Sequence, residues 1–446
     1  MQRTDVTMPQ ILAFAIGDLG IQVPFMSTVL FMMYFYTEAA GLSASTAGMI
    51  FLAASVWDAI TDPPMGWITE RTRSRWGRCR PYFLFGAAPL AASMVLVYYV
   101  PPLSGGALIA FLLLAHVLFR TCFTAVGIPY AAYSARITND SRARSLIASA
   151  KLFFTIAAGT LVAYTLLPLV DRFGGGNLAD GFFRASLVLA LAPLVFLPVT
   201  FFGTREPSDG LIGRTTVPLR TAVRTLAANP AYRVVLVCIA CVISTQVISG
   251  AAGLYYFKYV LNDEAAAPAA MAMSTAVGLI VVPLWVWVER VLGKRGAWTA
   301  AATAGLLVLG YFCLRDALST REFTAICVLS NAALYGATVS MWSMLPDTIE
   351  FGELRSGVRV EAPTFGLALF TLKLAMGVAT AASGAILERS GFVSNTVLSA
   401  EAVEGLTFVI GGLPLAVLCV GLVAGFFYPM RKGEHERIVA ELAARC

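Results

Sequence analysis

Long apolar runs separated by short polar turns repeat along the whole chain. Each run has about the 20 residues that an α-helix needs to cross the hydrocarbon core of a bilayer. We therefore predict an all-α membrane protein with twelve spanning helices. The runs cover approximately residues 8–37, 43–68, 82–101, 105–134, 146–168, 181–203, 231–259, 267–292, 297–315, 322–348, 363–388 and 403–429.

The polar stretch after the sixth run divides the chain into two halves of six helices. It begins with the loop-forming sequence Thr204-Arg205-Glu206-Pro207. The basic amphipathic segment that follows at 217–229 either lies on the inner membrane surface or is a solvated linker. We predict an N-terminal six-helix bundle, a cytoplasmic central loop, a C-terminal six-helix bundle and a cytoplasmic tail. Their bounds are 1–203, 204–230, 231–429 and 430–446.

Composition supports a membrane location. Apolar residues make up 58% of the chain and charged residues 13%, with a mean hydropathy of +0.76, whereas soluble domains are roughly 45–50% apolar and 25% charged. Basic residues concentrate in one set of loops, most densely from Arg71 to Arg80. The positive-inside rule then places both termini in the cytoplasm. The net charge of +6 therefore reflects the basic cytoplasmic loops and does not indicate nucleic-acid binding.

Ionisable residues at bilayer depth are the main candidates for a functional site. Asp58 and Asp62 lie four residues apart and so share one face of the second helix. Asp18, Lys151 and Lys373 lie about half-way along their own helices. A charge at this depth costs several kcal/mol unless it faces a cavity or a partner. We therefore expect an ion or substrate site near the membrane midplane.

An internal repeat supports two parallel halves. Glu70-Arg71 with Gly77-Arg78-Cys79-Arg80 follows the second run, and Glu289-Arg290 with Gly293-Lys294-Arg295 follows the eighth. Lys151 and Lys373 lie in the fifth and eleventh runs, which correspond in such a repeat. This organisation is typical of the major facilitator fold, in which substrate binds at the midplane between two six-helix bundles.

Several motifs resemble the glycoside–pentoside–hexuronide:cation symporters, the group of sugar transporters that includes the melibiose permease. The longest motif runs from Asp58-Ala-Ile-Thr-Asp62-Pro-Pro to Arg80-Pro81. Further matches, in the order of that family, are Gly127-Ile128-Pro129-Tyr130, Tyr255-Tyr256-Phe257-Lys258, Pro346-Asp347-Thr348-Ile349-Glu350 and Gly357-Val358-Arg359-Val360-Glu361. Together with Asp18 and Lys373 they span nearly the whole chain.

The resemblance implies roles for individual residues. Asp58 and Asp62 match carboxylates that take part in cation binding in sodium-coupled members. Asp18 and Lys373 match positions implicated in sugar binding, and Lys151 stands where the melibiose permease has an arginine. Two departures put sodium coupling and galactoside specificity in doubt, because Gly127 replaces an aspartate and Ala131 replaces a tryptophan.

The fourth helix also carries two unusual groups, His116 and Arg120, on the same stripe as Gly127. One interpretation pairs Arg120 with Asp58 or Asp62 where sodium would otherwise bind, leaving a carboxylate or His116 to carry a proton. In a second interpretation, Arg120 binds an anionic group of the substrate, such as a uronate. The third is a salt bridge that only holds the second and fourth helices together.

The remaining candidates are gating and aromatic residues. We predict that Arg71, Arg75 and Arg78 form an interhelical gate on the cytoplasmic face. Asp347, Glu350, Arg359 and Glu361 are expected to form ion pairs that break as the bundles rock. Trp342 and Tyr34 lie where an aromatic ring could stack on a sugar; the alternative for each is core packing or anchoring at the membrane interface.

We predict a secondary active transporter that imports a sugar, glycoside or uronate by cation symport, with a proton favoured over sodium. The alternatives are a carrier of lysolipid-like amphiphiles and a non-transporting membrane sensor. The sequence has no constellation of catalytic residues, so we expect neither an enzyme nor a cofactor or bound metal besides the coupling cation. We expect a monomer in the bacterial inner membrane whose partners are a small sugar and the lipid bilayer.

Overall fold

The computed structural model describes residues 7–134, 136–138, 141–206 and 218–445, with the side chains of 141, 142, 219 and 445 excepted. The start of the predicted N-terminal bundle, residues 207–217 of the predicted central loop and the last residue of the predicted tail lie outside these ranges. The described residues form helices and turns without a β-strand, as predicted. Contacts group the chain into two compact units.

The first unit comprises Met1–Ile212 together with the short segments Met271–Ala276 and Val393–Val397. A π-helical turn at Phe35–Ala39 extends its first helix. Its helices are α1 (Met8–Tyr34), α2 (Ala44–Arg71), α3 (Arg80–Val97), α4 (Gly105–Ser134), α5 (Ser141–Gly174), α6 (Leu178–Leu189) and α7 (Leu191–Gly203).

The second unit comprises Gly213–Ala270, Val277–Phe392 and Leu398–Cys446. A π-helical turn at Phe408–Gly412 joins two of its helices. The remaining helices of the chain are α8 (Leu219–Ala228), α9 (Pro230–Tyr259), α10 (Ala267–Ala276), α11 (Gly278–Cys313), α12 (Thr320–Ser356), α13 (Ala362–Arg389), α14 (Ala400–Thr407), α15 (Leu413–Phe426) and α16 (Glu434–Arg445).

Within the described residues, eleven helical stretches are long and apolar enough to cross a membrane, against twelve predicted runs. The difference lies in one stretch of 50 residues, Glu264–Cys313, which contains both the eighth and the ninth run. At roughly 1.5 Å per residue a continuous helix of that length would far exceed the ~30 Å hydrocarbon core. It is interrupted at Gly293, whose φ of 75° and ψ of 167° are not helical. One stretch therefore supplies two spans.

Polar caps begin several of the helices. The hydroxyl of Ser43 accepts a hydrogen bond from Thr46 N at the start of α2, and Asn229 caps α9 through Tyr232 N. Ser319 and Glu322 form a reciprocal capping box at the start of α12. These side chains satisfy amide groups that the first helical turn leaves without partners.

Each unit is held by close helix packing and by buried polar side chains. In the first unit the rings of Phe14 and Tyr130 stack at 4.4 Å between centroids, and the Tyr130 hydroxyl donates to Phe14 O over 2.6 Å, which fixes α1 against α4. In the second unit the fully buried Trp298 donates to Gly421 O, which joins α11 to α15.

The amphipathic helix α8 packs against its own unit. Ala222 and Leu226 on its apolar side are buried, while Val223 is exposed. α8 contacts α9, α12 and α13. The sequence predicted that this segment either lies on the membrane surface or is a solvated linker. In the structure, other helices of the second unit cover part of its apolar face.

Replacing Gly293 with alanine tests the interruption of α11. Backbone at this φ and ψ is essentially restricted to glycine, so a side chain should cost on the order of 1–3 kcal/mol, and Lys432 Cβ would lie only 3.0 Å from the new Cβ. We expect Gly293→Ala to lower the melting temperature of the purified protein. Gly310→Ala is the matched control, because a Cβ there meets open space inside the same helix. Equal melting temperatures for Gly293→Ala and the parent would contradict a required break.

Candidate functional site

The two carboxylates of α2 lie on one helix face but in different environments. Asp58 is fully buried, and Asp62, one turn later, is half-buried. The helix continues through Pro63 and Pro64, although neither proline has an N–H to donate. The sequence predicted one helix face for both aspartates, and the structure shows that they differ in solvent exposure.

Asp58 pairs with the guanidinium of Arg120 from α4. Arg120 Nη1 lies 3.5 Å from Asp58 Oδ2, and the side chains are 2% and 0% exposed. The guanidinium carbon also lies 5.3 Å from the ring centroid of Phe25 and 5.4 Å from that of Phe51. A buried guanidinium requires such compensation, since removing one partner of a buried pair costs about 3–5 kcal/mol. This geometry favours pairing with Asp58 over contact between Arg120 and an anionic substrate.

His116 contacts Arg120 and continues the chain of polar contacts to Tyr36 in the π-helical turn after α1. Arg120 Nε donates to His116 Nε2 at 3.4 Å, and His116 Nδ1 lies 2.9 Å from the hydroxyl of Tyr36. An arginine has no acceptor atom, so His116 Nε2 must be unprotonated. We assign neutral His116 with its proton on Nδ1, where it donates to Tyr36. Tyr36 could not be singled out from the sequence, because it is one of several aromatic residues in an apolar run.

Thr124, one helical turn after Arg120, links both carboxylates. Its hydroxyl oxygen lies 2.6 Å from Asp58 Oδ1 and 3.1 Å from Asp62 Oδ1. A hydroxyl has one proton, so it donates fully to one carboxylate only. The arrangement therefore has room for one further proton between Thr124 and the other carboxyl group.

A second charged pair joins α1 to α5. Lys151 Nζ lies 3.9 Å from Asp18 Oδ1, and the Thr155 hydroxyl donates to Asp18 Oδ2. Asp18 is buried, whereas the Lys151 side chain is 32% exposed. Lys151 also lies 5.2 Å from the ring centroid of Tyr130. The structure thus brings two of the predicted substrate residues together, with Thr155 as a partner that the sequence did not indicate.

The other predicted substrate residues lie elsewhere. Tyr34 is buried inside the first unit, with its ring 6.4 Å from that of Phe182, so a sugar could stack on it only after repacking. Trp342 on α12 and Lys373 on α13 are half-buried in the second unit. Substrate contact for these three residues stays a prediction.

The loop after α2 is held by residues other than the predicted gate. Glu206, just beyond α7, accepts from Cys79 N at 2.9 Å and lies 3.6 Å from Arg136 Nη1. Arg80 donates to Phe201 O at 2.6 Å. Burial and the nearby Glu206 carboxylate raise the pKa of the Cys79 thiol to about 12, so this cysteine stays protonated at physiological pH.

The predicted gating arginines have mainly aromatic and backbone partners. The guanidinium of Arg71 lies 3.7 Å from the ring centroid of Trp67, and that of Arg75 lies 4.2 Å from the ring centroid of Trp76. Arg78 donates to Glu70 O at 3.2 Å. A gating role for the three arginines stays a prediction.

In the second unit the predicted acidic cluster forms ion pairs. Arg359 contacts Glu353 at 2.8 Å, Glu350 at 3.2 Å and Glu361 at 3.7 Å. The hydrogen bond to Glu353 and the adjacent negative charges raise the pKa of Arg359, which keeps it charged. The opening of these pairs during transport stays a prediction.

Asp347 belongs to a separate pair that the sequence missed. Lys294 Nζ lies 2.6 Å from Asp347 Oδ1, and His435 Nε2 on α16 lies 3.5 Å from the same oxygen. His435 also lies 3.8 Å from Glu350 Oε2. Lys294 belongs to the internal repeat, and this repeat is the one feature of the sequence that could have drawn attention to Lys294.

The repeat has a matching geometry in each unit. Arg80 donates to Phe201 O near the end of α7, and Arg295 donates to Phe426 O at the end of α15 over 2.7 Å. The repeat glycines have positive φ, 102° at Gly77 and 75° at Gly293. The sequence repeat therefore marks a similar arginine–carbonyl contact in each unit, between the helical residues after the glycine and the end of the last spanning helix.

Comparison with known proteins identifies the family. The model of the MFS/sugar transport protein family matches residues 13–432. The chain belongs to this family. This confirms the membership expected from the motifs and makes the chain a membrane transporter of the major facilitator fold, not an enzyme.

Similar proteins support the assignment over nearly the full length. An isoprimeverose transporter of Lactiplantibacillus pentosus is 27% identical, with 96% of this chain and 90% of that protein aligned. A glucuronide carrier protein homolog of Escherichia coli (strain K12) is 28% identical, with 98% and 95% aligned. A bacterial homolog of the lysosomal transporter Spinster, solved facing inward, shares the fold with a TM-score of 0.68 at 13% identity, over 94% and 95% of the two chains.

Proposed function

We propose that this transporter imports a sugar, glycoside or uronate across the bacterial inner membrane in symport with a proton. The observation that carries the proposal is the buried Asp58–Arg120 pair with Asp62 attached through Thr124. The names of the similar proteins, an isoprimeverose transporter and a glucuronide carrier homolog, support the substrate class.

Electrostatics in the first unit favours a proton over sodium. A sodium ion beside Asp58 would lie near the Arg120 guanidinium, and two unit charges about 6 Å apart repel by roughly 3 kcal/mol at an effective dielectric of 20. A difference of that size is about a hundredfold in affinity. The oxygens of Asp58 and Asp62 are also already bridged by Thr124. A proton carries the same unit charge, but it forms a covalent O–H bond to one carboxylate oxygen and needs no cage of further oxygen ligands.

Asp62 is the better candidate for the coupling proton. Asp58 is neutralised by Arg120, and a protonated His116 would direct an N–H at the donating Nε of Arg120. Asp62 is half-buried and therefore has the access to solvent that Asp58 lacks. With a proton on Asp62, its carboxyl group donates to Thr124, and Thr124 donates to Asp58. Asp62, Thr124, Asp58 and Arg120 then form one continuous chain of polar contacts.

Protonation of Asp62 links proton binding to the conformational change of alternating access. Binding of a proton at Asp62 removes a negative charge from the helix that carries it, so the charged and neutral forms differ in their cost of burial. A carrier can use such a difference to favour one of its conformations. The predicted substrate residues Asp18, Lys151 and Lys373 supply charged hydrogen-bonding groups for sugar hydroxyls.

The first functional test is the driving force for uptake into proteoliposomes. We expect accumulation to follow an inward proton gradient and to be insensitive to an inward sodium gradient at constant pH. Asp62→Asn should abolish accumulation while substrate counterflow persists, because the binding site remains. Thr124→Val should weaken coupling, and Thr124→Ser should retain it.

The control for that test is Asp171→Asn, which changes an exposed aspartate of α5. Asp58→Asn is less informative, since it leaves Arg120 buried without its partner and threatens folding. Sodium-driven accumulation at constant pH, or normal proton coupling in Asp62→Asn, would contradict the proposal.

The second test concerns the substrate site. A thermal-shift screen over sugars, uronates and lysolipids first identifies a ligand of the purified protein. Asp18→Asn should then weaken its binding by about ten- to a hundredfold, the range expected for losing a hydrogen bond to a charged group. Unchanged affinity in a folded, monodisperse Asp18→Asn protein would remove Asp18 from the site, and a lysolipid hit without sugar hits would overturn the substrate class.

A further inference from the structure

The end of α2 and the loop after it carry a group of exposed arginines. Within the described ranges, none of the ion pairs of the first unit involves Arg71, Arg73 or Arg75. All three are exposed, and Arg71 and Arg75 stack on the rings of Trp67 and Trp76. Three guanidinium groups within five residues, without an ion pair to any described residue, form a local site of positive charge.

The same helix exposes an apolar stripe that ends at these arginines. Ile60 and Trp67 are both 56% exposed, and Ile68 is 44% exposed. Ile60, Trp67 and Arg71 follow one another at helical spacing on the side away from buried Asp58. The eleven residue-to-residue steps from Ile60 to Arg71 rise about 16 Å, close to half of the ~30 Å hydrocarbon core. The stripe therefore has the length of one acyl leaflet.

We propose that this flank of α2 binds an anionic phospholipid. The acyl chains lie along Ile60, Trp67 and Ile68, and the phosphate contacts Arg71 and Arg75. Planar guanidinium groups suit phosphate oxygens better than point charges do. Tryptophan is the residue typical of the boundary between acyl chains and headgroups. The stacked rings hold the arginines in place before the lipid binds, which lowers the entropic cost of binding.

Native mass spectrometry of the full-length protein in detergent tests this site. The protein is offered equal amounts of phosphatidylglycerol and phosphatidylcholine with the same acyl chains. We expect the parent to retain phosphatidylglycerol preferentially. In Arg71→Gln/Arg75→Gln the preference should fall on the order of thirtyfold, because each basic residue near an anionic lipid contributes roughly a fivefold change.

The matched control is Arg172→Gln/Arg321→Gln, which removes two exposed arginines elsewhere on the chain and should leave the preference unchanged. If the test variant does not fold, Arg71→Gln and Arg75→Gln singly should each give about fivefold. Equal retention of both lipids by the parent, or equal behaviour of test and control variants, would overturn the proposal. Displacement of the lipid by millimolar inorganic phosphate would overturn the acyl part of the site. A purely topological role of these arginines predicts no lipid preference in detergent.

Discussion

The buried guanidinium of Arg120 is the group on which the candidate cation site depends. It carries a fixed positive charge between α2 and α4, and every polar neighbour is arranged around it. Asp58 neutralises it, His116 accepts from it, and the rings of Phe25 and Phe51 face it. Because this guanidinium stays charged, the two adjacent carboxylates differ in environment: Asp58 is fully buried and paired with Arg120, and Asp62 is half-buried. We propose that Asp58 balances the charge of Arg120 and that Asp62 carries the coupling proton.

A different constraint holds the loop ends of the two units. In each unit an arginine of the repeat donates to a carbonyl at the end of the last spanning helix, Arg80 to Phe201 and Arg295 to Phe426. The positive φ of Gly77 and Gly293 lets the loop turn tightly at this point. A charged pair lies near each of these contacts, Arg136 with Glu206 in the first unit and Lys294 with Asp347 in the second. The two units therefore share the positive-φ glycine and the arginine–carbonyl bond, and they differ in which element supplies the acidic side chain.

The sequence predicts charged partners better than neutral ones. Asp58, Asp62 and Arg120 stand out because a charge in an apolar run needs an explanation, and their common helical stripes limit the pairings. Thr124, Thr155 and Tyr36 do not stand out, since hydroxyl residues are ordinary in membrane helices and their contacts join distant parts of the chain. The contact of Glu206 could not be predicted from the sequence either, because its partner Cys79 is 127 residues away. The spans followed from hydropathy, including the separation of the eighth and ninth runs, but the sequence did not show that the chain changes direction there through the non-helical backbone of Gly293.

Equilibrium binding of radioactive sodium to purified protein tests most directly whether Arg120 takes the place of the coupling cation. The account predicts no saturable sodium binding to the parent. It predicts that binding appears in Arg120→Met/Gly127→Asp, which removes the fixed charge and adds a carboxylate where a Cβ meets only ordinary contacts with Phe123. Saturable sodium binding to the parent, with an affinity equal to that of the double variant, would contradict it.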